Sequence, residues 1–350
     1  MITVNKWCIM TTCMKPRERV LRALEHKEAD IVPYNVTFTK QCYEKVVEYT
    51  GDPEYESKIG NHLVILETEP KMGWKEIEPD IWEDQFGVQW DRTVDKDIGV
   101  PRNRLITNRD ELKNYQFPDP NDPTRFQEYP NVISQNRDKF IVANLGFSLF
   151  ERAWSLCGMQ ELFMAMALDK MFVHDLLDRI LEFNLKIIER ACSYDIDCMR
   201  FGDDWGGQNG LLMSINMWRE YIKPRVKEMY QLVKKHNKYV MIHSCGKVDE
   251  LFPDLIEIGV DIFNPFQPEV MDIYRIKKEF GSDLVFYGGI SVQKTLPFKS
   301  VDETRQEVRK LLAEIGKNGG YIASPSHDIP YDAKPENIVA MVEELRNQKI

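Results

Sequence analysis

A regular alternation of short strand-like runs and longer helix-like segments begins near residue 139 and continues to the C-terminus, and it restricts the fold more than any other feature. The strand-like runs are 140–145, 198–202, 239–242, 261–264, 284–287 and 321–323. The segments of helical periodicity are 159–168, 170–193, 215–236, 248–258, 271–280, 301–317 and 335–346. Strands and helices that alternate in this way form parallel sheets through right-handed crossovers.

The number of strands favours a barrel. A further run of strand character, 31–38, and one more strand before it would bring the count to eight. We therefore predict an α/β fold, a (β/α)8 TIM barrel, with residues 1–350 forming one domain. Residues 1–130 are expected to contribute N-terminal helices, the first strand and a hairpin insertion at 82–91, in an irregular N-terminal extension.

Polar side chains follow most of the predicted strands, at the point where each strand ends. In a parallel barrel the C-terminal ends of all strands converge on one mouth, where active sites are built. An open sheet would distribute the same residues over several crevices. The residues at these ends are Asp203-Asp204-Trp205, His243-Ser244-Cys245, Asn264, Gly288-Gly289 and His327-Asp328.

Two of these residues form a candidate metal site. His243 and Cys245 stand two residues apart where a strand enters a turn, so both side chains can reach one cation. Imidazole and thiolate are ligands that suit zinc. His327 stands at another strand end and is a third candidate ligand, although a histidine there can also orient a substrate without touching metal.

Several neighbouring residues are candidates for catalysis or substrate binding. Asp203 and Asp204 are adjacent, so strand alternation predicts that one of them faces the pocket, where it can accept a hydrogen bond or protonate a leaving oxygen. An aspartate here can equally serve as a helix cap or a loop residue. The candidates for substrate contact are Trp154, Trp205, Tyr287 and Asn264, and each aromatic ring can alternatively belong to the core.

Composition excludes several functions. A net charge of −10 without a basic block disfavours nucleic acid as a partner, and no apolar run is long enough for a membrane helix. The sequence contains neither GxxxxGK[ST] nor GxGxxG in the required context, which disfavours ATP and dinucleotides. Seven irregularly spaced cysteines form no disulfide framework, so we expect a cytoplasmic protein, and apolar stretches near the N-terminus would permit a homodimer.

The sequence resembles the uroporphyrinogen decarboxylase superfamily from about residue 15 to the C-terminus. The resemblance is carried by residues 15–24 with 30–33, by His243-Ser244-Cys245-Gly246, and by 326–330 with 335–338. Within that superfamily, the His-x-Cys turn is most similar to the zinc-dependent cobamide (corrinoid) methyltransferase branch. The decarboxylases carry an arginine-rich segment after the first strand, whereas residues 37–41 contain no arginine here. Because bidentate arginines hold multiple carboxylates, we do not expect decarboxylation of uroporphyrinogen.

The zinc methyltransferases usually have a cysteine where this chain has His327, and the decarboxylases have a histidine there. One thiolate and two imidazoles would leave Zn²⁺ with one net positive charge, which favours polarisation of an oxygen over binding of a thiol. Glu269 resembles a glutamate that completes the zinc shell in relatives, and the alternative for it is a solvated loop carboxylate.

The resemblance implies a zinc-dependent methyltransferase of the O-demethylase type. The methyl group would move between a small oxygen-linked donor, such as a methoxylated aromatic, and a corrinoid (methylcobamide) carried by a separate corrinoid-binding protein. Three alternatives remain at this stage. They are a methylcobamide:thiol methyltransferase that uses an acceptor like coenzyme M, a metal-free decarboxylase-like lyase that acts on a smaller carboxylate, and a non-catalytic ligand-binding member.

Overall fold

A computed structural model describes residues 13–94 and 96–348 of the chain, and its centre is a sheet of seven parallel strands. Along the sheet these strands are β1 (Leu63–Glu67), β6 (Phe140–Leu145), β7 (Cys198–Gly202), β8 (Tyr239–His243), β9 (Ile262–Phe266), β10 (Val285–Ile290) and β11 (Tyr321–Pro325). The six strands predicted after residue 139 are confirmed, with ends that shift by no more than three residues. The additional strand was expected before 31–38, but in the described residues it is β1, which follows that segment.

The segment 31–38 closes the barrel without forming a regular strand. On one side its backbone bonds to β11, through Ala323 N–H to the Pro33 carbonyl and Asn35 N–H to the Ala323 carbonyl. On the other side His62 N–H donates to the Tyr34 carbonyl, beside β1. The prediction of a full strand was wrong because Pro33 has no N–H and the side chain of Asn61 takes both backbone bonds of Val36. The TIM-barrel class is nevertheless confirmed.

The N-terminal extension contains a second, antiparallel sheet of four strands. They are β2 (Trp74–Glu78), β3 (Ile81–Asp84), β4 (Gln89–Asp91) and β5 (Val100–Pro101). The hairpin predicted at 82–91 is confirmed as β3 and β4, in which Trp82 pairs with Trp90. Trp90 is fully buried, so this sheet packs on the barrel core through the side of the hairpin that carries it.

The helices surround the barrel and add structure at its mouth. They are α1 (Pro16–Leu24), α2 (Lys40–Thr50), α3 (Tyr55–Ile59), α4 (Arg109–Asn114), α5 (Tyr129–Gln135), α6 (Phe150–Cys157), α7 (Met159–Leu168), α8 (Lys170–Cys192), α9 (Ile215–Met217), α10 (Lys223–Lys235), α11 (Phe252–Glu257), α12 (Ile273–Phe280), α13 (Thr295–Phe298), α14 (Val301–Glu314) and α15 (Pro335–Arg346). The predicted helix 215–236 is divided by a π-helical turn, Trp218–Ile222. Within the described ranges, no helix combines the length and apolar character needed to cross a membrane.

The interior of the barrel changes from apolar to polar along the strands. Successive residues of a strand point to opposite faces, so every second residue faces inward. The lower layers are apolar and include Val20 from α1, with Phe140, Cys198, Met241 and Ile322 from the strands. Two residues further along β7 to β11, and four residues further along β1 and β6, the same periodicity gives a polar upper layer. By this periodicity its members are Glu67, Asn144, Arg200, His243, Asn264, Tyr287 and Ser324.

Candidate active site

The three candidate metal ligands come together at the mouth of the barrel. His243 is the last residue of β8, Cys245 lies in the turn that follows, and His327 follows β11. Their ligand atoms all lie within 4.8 Å of one another, and His243 Nε2 is 3.5 Å from Cys245 Sγ. In the described part of the chain, these three residues form the group that can share a metal ion.

A close approach of two backbone segments shapes the turn that carries Cys245. Gly246 has φ 84°, in the left-handed region, and a Cβ on it would collide with the backbone of Gly206. Lys247 N–H donates to the Gly207 carbonyl across the same contact. Glycine at position 246 therefore allows the turn to lie against the loop after β7.

Asn264 determines which nitrogen of His243 is available. Its Nδ2 donates to the Tyr287 carbonyl over 3.1 Å, which directs Oδ1 toward His243 Nδ1 at 2.6 Å. The proton therefore belongs on Nδ1, and the lone pair of Nε2 points toward Cys245. Burial lowers the pKa of His243 well below its usual value, and the charges of Arg200 and His327 lower it further. The imidazole is neutral near pH 7, as a metal ligand must be.

The environment of Cys245 disfavours a free thiolate. Desolvation raises the pKa of the Cys245 thiol, and the carboxylates of Asp204 and Glu151 raise it further. A nucleophilic cysteine needs the opposite, an electropositive surrounding. A bound cation reverses this balance because a coordinating thiol loses its proton. The site is therefore suited to a metal-bound cysteine and poorly suited to a cysteine that attacks a substrate.

The two adjacent aspartates point in different directions. Asp203 is fully buried and accepts hydrogen bonds from the N–H groups of Leu149, Phe150 and Glu151 at the start of α6, and from the indole of Trp205. Both carboxylate oxygens of Asp203 are thus bound by protein groups. Asp203 therefore lies behind the site, in agreement with the alternative that it caps a helix. Asp204 faces the metal group, where its Oδ1 accepts from Cys245 N–H at 2.8 Å.

The aromatic candidates occupy different depths. Trp205 is fully buried and packs edge-on against Trp218, so it belongs to the core and cannot line a pocket. Tyr287 is 4% exposed inside the barrel, and its hydroxyl accepts from Asn35. Trp154 in α6 remains half-buried beside the half-buried Phe147, with ring centroids 6.4 Å apart. Of the three predicted rings, Trp154 is the one that a bound molecule can reach.

Asn264 and Glu269 also differ from their expected positions. Asn264 lies behind His243 and orients it, so its side chain is engaged by protein on both ends. Glu269 lies outside the three-residue metal group. Its carboxylate accepts hydrogen bonds from the hydroxyls of Ser291 and Ser326, in the loops after β10 and β11. Glu269 is half-buried and hydrogen-bonded to these loops, so it is not the solvated loop carboxylate that was considered as the alternative.

Two residues of the site were not predicted from the sequence. Arg200, in the upper layer of β7, places its Nη2 2.8 Å from His243 Nδ1. Glu151, in the first turn of α6, lies near Gly202, which is the register partner of His243. The sequence pattern that could have predicted Arg200 is a single charged residue within the strand Cys-Met-Arg-Phe-Gly. The residues around Glu151 contain no pattern that distinguishes it from a surface glutamate.

Fold and site together define a parallel α/β barrel whose C-terminal mouth, the position of active sites in this class, carries three side chains close enough to share a metal ion. Residues 85–348 match the uroporphyrinogen decarboxylase (URO-D) family, and the chain belongs to that family.

Two curated relatives are uroporphyrinogen decarboxylases. The protein of Pelodictyon phaeoclathratiforme is 22% identical over 179 residues, which cover 50% of this chain and 49% of the relative. The protein of Wigglesworthia glossinidia brevipalpis is 24% identical over 264 residues, which cover 69% of this chain and 68% of the relative. The chain therefore spans about half the length of the first relative.

A solved structure, a methyltransferase from Methanosarcina mazei, has the same fold. It superposes with a TM-score of 0.69 and covers 95% of this chain and 98% of its own. Sequence identity is 17%, so the likeness concerns the fold.

Proposed function

We propose that the protein is a zinc-dependent methyltransferase of the O-demethylase type. It would move a methyl group between a small oxygen-linked donor, such as a methoxylated aromatic, and a corrinoid carried by a separate protein. The observation that carries this proposal is the convergence of His243, Cys245 and His327 within 4.8 Å at the barrel mouth.

The donor set fits zinc. His243 Nε2, Cys245 Sγ and a ring nitrogen of His327 would hold the ion, and two nitrogens with one sulfur match its preference. The oriented tautomer of His243 supports the same conclusion, because metal-ligating histidines characteristically donate their other N–H to an acceptor such as Asn264. When bound, zinc would act as a Lewis acid that stabilises negative charge on the oxygen from which the methyl group departs.

Residues around the metal group would bind the substrate and handle its proton. Trp154 and Phe147 offer an accessible aromatic surface against which a methoxylated ring can stack. Desolvation and the nearby aspartates raise the pKa of Glu151 well above its usual value. These effects favour the protonated form of Glu151, the form that can donate a proton to the departing oxygen.

The segment 37–41 supports this proposal over decarboxylation of uroporphyrinogen. It contains no arginine, and the Thr37 hydroxyl donates to Asp328, so the segment offers no cationic fork to a ligand with many carboxylates. The names of the two relatives still make a metal-free lyase the alternative to be tested.

Metal content separates these functions. Elemental analysis of the purified wild type is expected to find about one zinc per chain, as for a single three-ligand site. Cys245→Ala should lose it and His327→Ala should lose most of it. Cys13→Ala and His236→Ala are matched controls because these side chains lie outside the site, and both should retain zinc.

Two results would contradict parts of the proposal. A wild type that takes up no zinc would remove the methyltransferase and leave the lyase. Full zinc content in His327→Ala would exclude His327 from the metal shell and leave only His243 and Cys245 from this set.

A further inference from the structure

Arg200 is a half-buried cation that forms no close ion pair within the described ranges, although its charge acts on the carboxyl groups of Glu67 and Asp204. Its side chain points into the upper layer of the barrel, and its Nε is buried without a hydrogen-bond partner. Its hydrogen-bonding contact is the 2.8 Å approach of Nη2 to His243 Nδ1. Buried charges in proteins are normally paired, so this arrangement requires an explanation.

The contact with His243 does not satisfy Arg200. Asn264 Oδ1 can only accept and lies 2.6 Å from the same Nδ1, whereas Arg200 Nη2 can only donate and lies 2.8 Å from it. The shorter contact, and the Asn264 amide held by the Tyr287 carbonyl, assign the Nδ1 proton to Asn264. A guanidinium has donors and no acceptor, and two donors that face each other form no hydrogen bond. Arg200 therefore has donors available for a ligand.

Other buried arginines of the described chain have protein partners for their guanidinium groups, although Nε of Arg152, like that of Arg200, has none. Arg152 pairs with Asp84 at 2.6 Å, and the buried Arg225 pairs with Asp178. Arg125 donates to the carbonyls of Thr68 and Asp119. By contrast, the carboxylates on which the charge of Arg200 acts have other partners. Glu67 has both oxygens engaged by Asn144 Nδ2, and Asp204 Oδ1 accepts from Cys245 N–H.

We propose that Arg200 binds an anionic group of the substrate, and that the methyl donor is therefore a methoxylated carboxylic acid such as a methoxybenzoate. This inference rests on the proposed function of the same site. A guanidinium presents a planar fork that matches a carboxylate in two parallel hydrogen bonds. The donor class narrows from any oxygen-linked methyl compound to one that carries an acid group.

The arrangement of the site accommodates both ends of such a molecule. The imidazole of His243 lies between Arg200, which approaches Nδ1, and the metal group, which shares Nε2. The carboxylate of the ligand would thus bind Arg200, and its ether oxygen would bind at the metal group. In a substituted benzoate these two groups lie on different edges of the aromatic ring. The excess positive charge expected of a metal held by two imidazoles and one thiolate would add to the attraction of the anion.

A different role for Arg200 would be to act only through His243, whose pKa its charge lowers. That role predicts no dependence on the charge of the ligand, whereas binding of a carboxylate predicts a strong one. Ligand charge is therefore the variable to test.

The experiment measures binding by calorimetry to the zinc-loaded protein. The probes are the 2-, 3- and 4-methoxybenzoates, each beside the corresponding uncharged methoxybenzamide. Wild type should bind at least one acid about 10-fold or more tightly than its amide, as expected for a hydrogen bond to a charged group. Arg200→Gln should lose that preference while amide binding persists, and Arg200→Lys should keep only part of it because the fork is lost.

Arg309→Gln is the control, since this exposed arginine pairs with Glu344 on the outer helices and its loss changes the net charge equally. It should leave the preference unchanged. Equal binding of acid and amide by wild type, binding of neither at millimolar concentration, or an unchanged preference in Arg200→Gln would each overturn the inference. Amide binding by Arg200→Gln shows that the pocket is folded. Zinc content and methylation of cob(I)alamin report separately on the proposed function.

Discussion

At the scale of single residues, the lone pair that His243 presents to Cys245 depends on the amide of Asn264. The imidazole has two tautomers, and only the one with its proton on Nδ1 presents a lone pair to Cys245. Asn264 can select that tautomer because Tyr287 fixes the orientation of its amide. Asn264, which was predicted to bind substrate, thus orients a candidate metal ligand.

Asn264→Ala is expected to weaken zinc binding by about 10- to 100-fold, the usual effect of removing such a partner. Asn264→Asp should retain affinity, because a carboxylate accepts from Nδ1–H at least as well as an amide oxygen does. The measurement is competition for zinc with a chromophoric chelator. Asn144→Ala, which removes an upper-layer asparagine bonded to Glu67, is the control and should bind as wild type does. Unchanged affinity in Asn264→Ala would show that the tautomer is fixed by another group.

At the scale of elements, Asp203 joins the end of β7 to the start of α6. It accepts from three successive backbone N–H groups of that helix terminus, so the helix that carries Glu151 and Trp154 is positioned by the strand that carries Arg200. Desolvation nevertheless outweighs these bonds and raises the pKa of Asp203 to about 6.

This shift predicts a pH dependence of stability. The pKa of Asp203 is raised above its ordinary value of 3.8, so the folded state binds a proton between about pH 4 and 6 that the unfolded state has released. The stabilisation is present below pH 3.8 and is lost as the pH rises through about 6. Over this window wild type should lose about 3 kcal/mol of unfolding free energy relative to Asp203→Asn. Urea titrations of both proteins at several pH values measure the difference, and a difference independent of pH would contradict it.

How well each element could be predicted depended on whether its determinants are local. The strands after residue 139 and the His243–Cys245 turn follow from local hydrophobic periodicity and residue type, and the structure places them as expected. The segment 31–38 departs from the predicted strand because the side chain of Asn61, far from it in sequence, forms hydrogen bonds to the backbone N–H and carbonyl of Val36. The burial of Trp205 and the unpaired state of Arg200 also depend on packing between distant segments, which one sequence does not reveal.

At the scale of the whole molecule, the metal group connects parts of the barrel that are distant in the sheet. His243 ends β8 and His327 follows β11, and two strands, β9 and β10, separate them. Between these loops, Ser291 and Ser326 also bind Glu269, so protein contacts already link the ends of β10 and β11. A metal ion shared by His243, Cys245 and His327 would therefore act as a cross-link over the barrel mouth that forms only when the barrel is folded.

Zinc should for that reason stabilise the folded protein by mass action. At a free zinc concentration 100-fold above its dissociation constant, the unfolding free energy should rise by about 2.7 kcal/mol, and chelation should reverse the change. Thermal unfolding of the chelated protein, measured with and without zinc, provides the test. Cys245→Ala should show no such shift, and Cys13→Ala should respond as wild type does, because its exposed thiol lies outside the metal group. An equal shift in Cys245→Ala would mean that the ion binds elsewhere, since neutral imidazoles alone do not replace the thiolate.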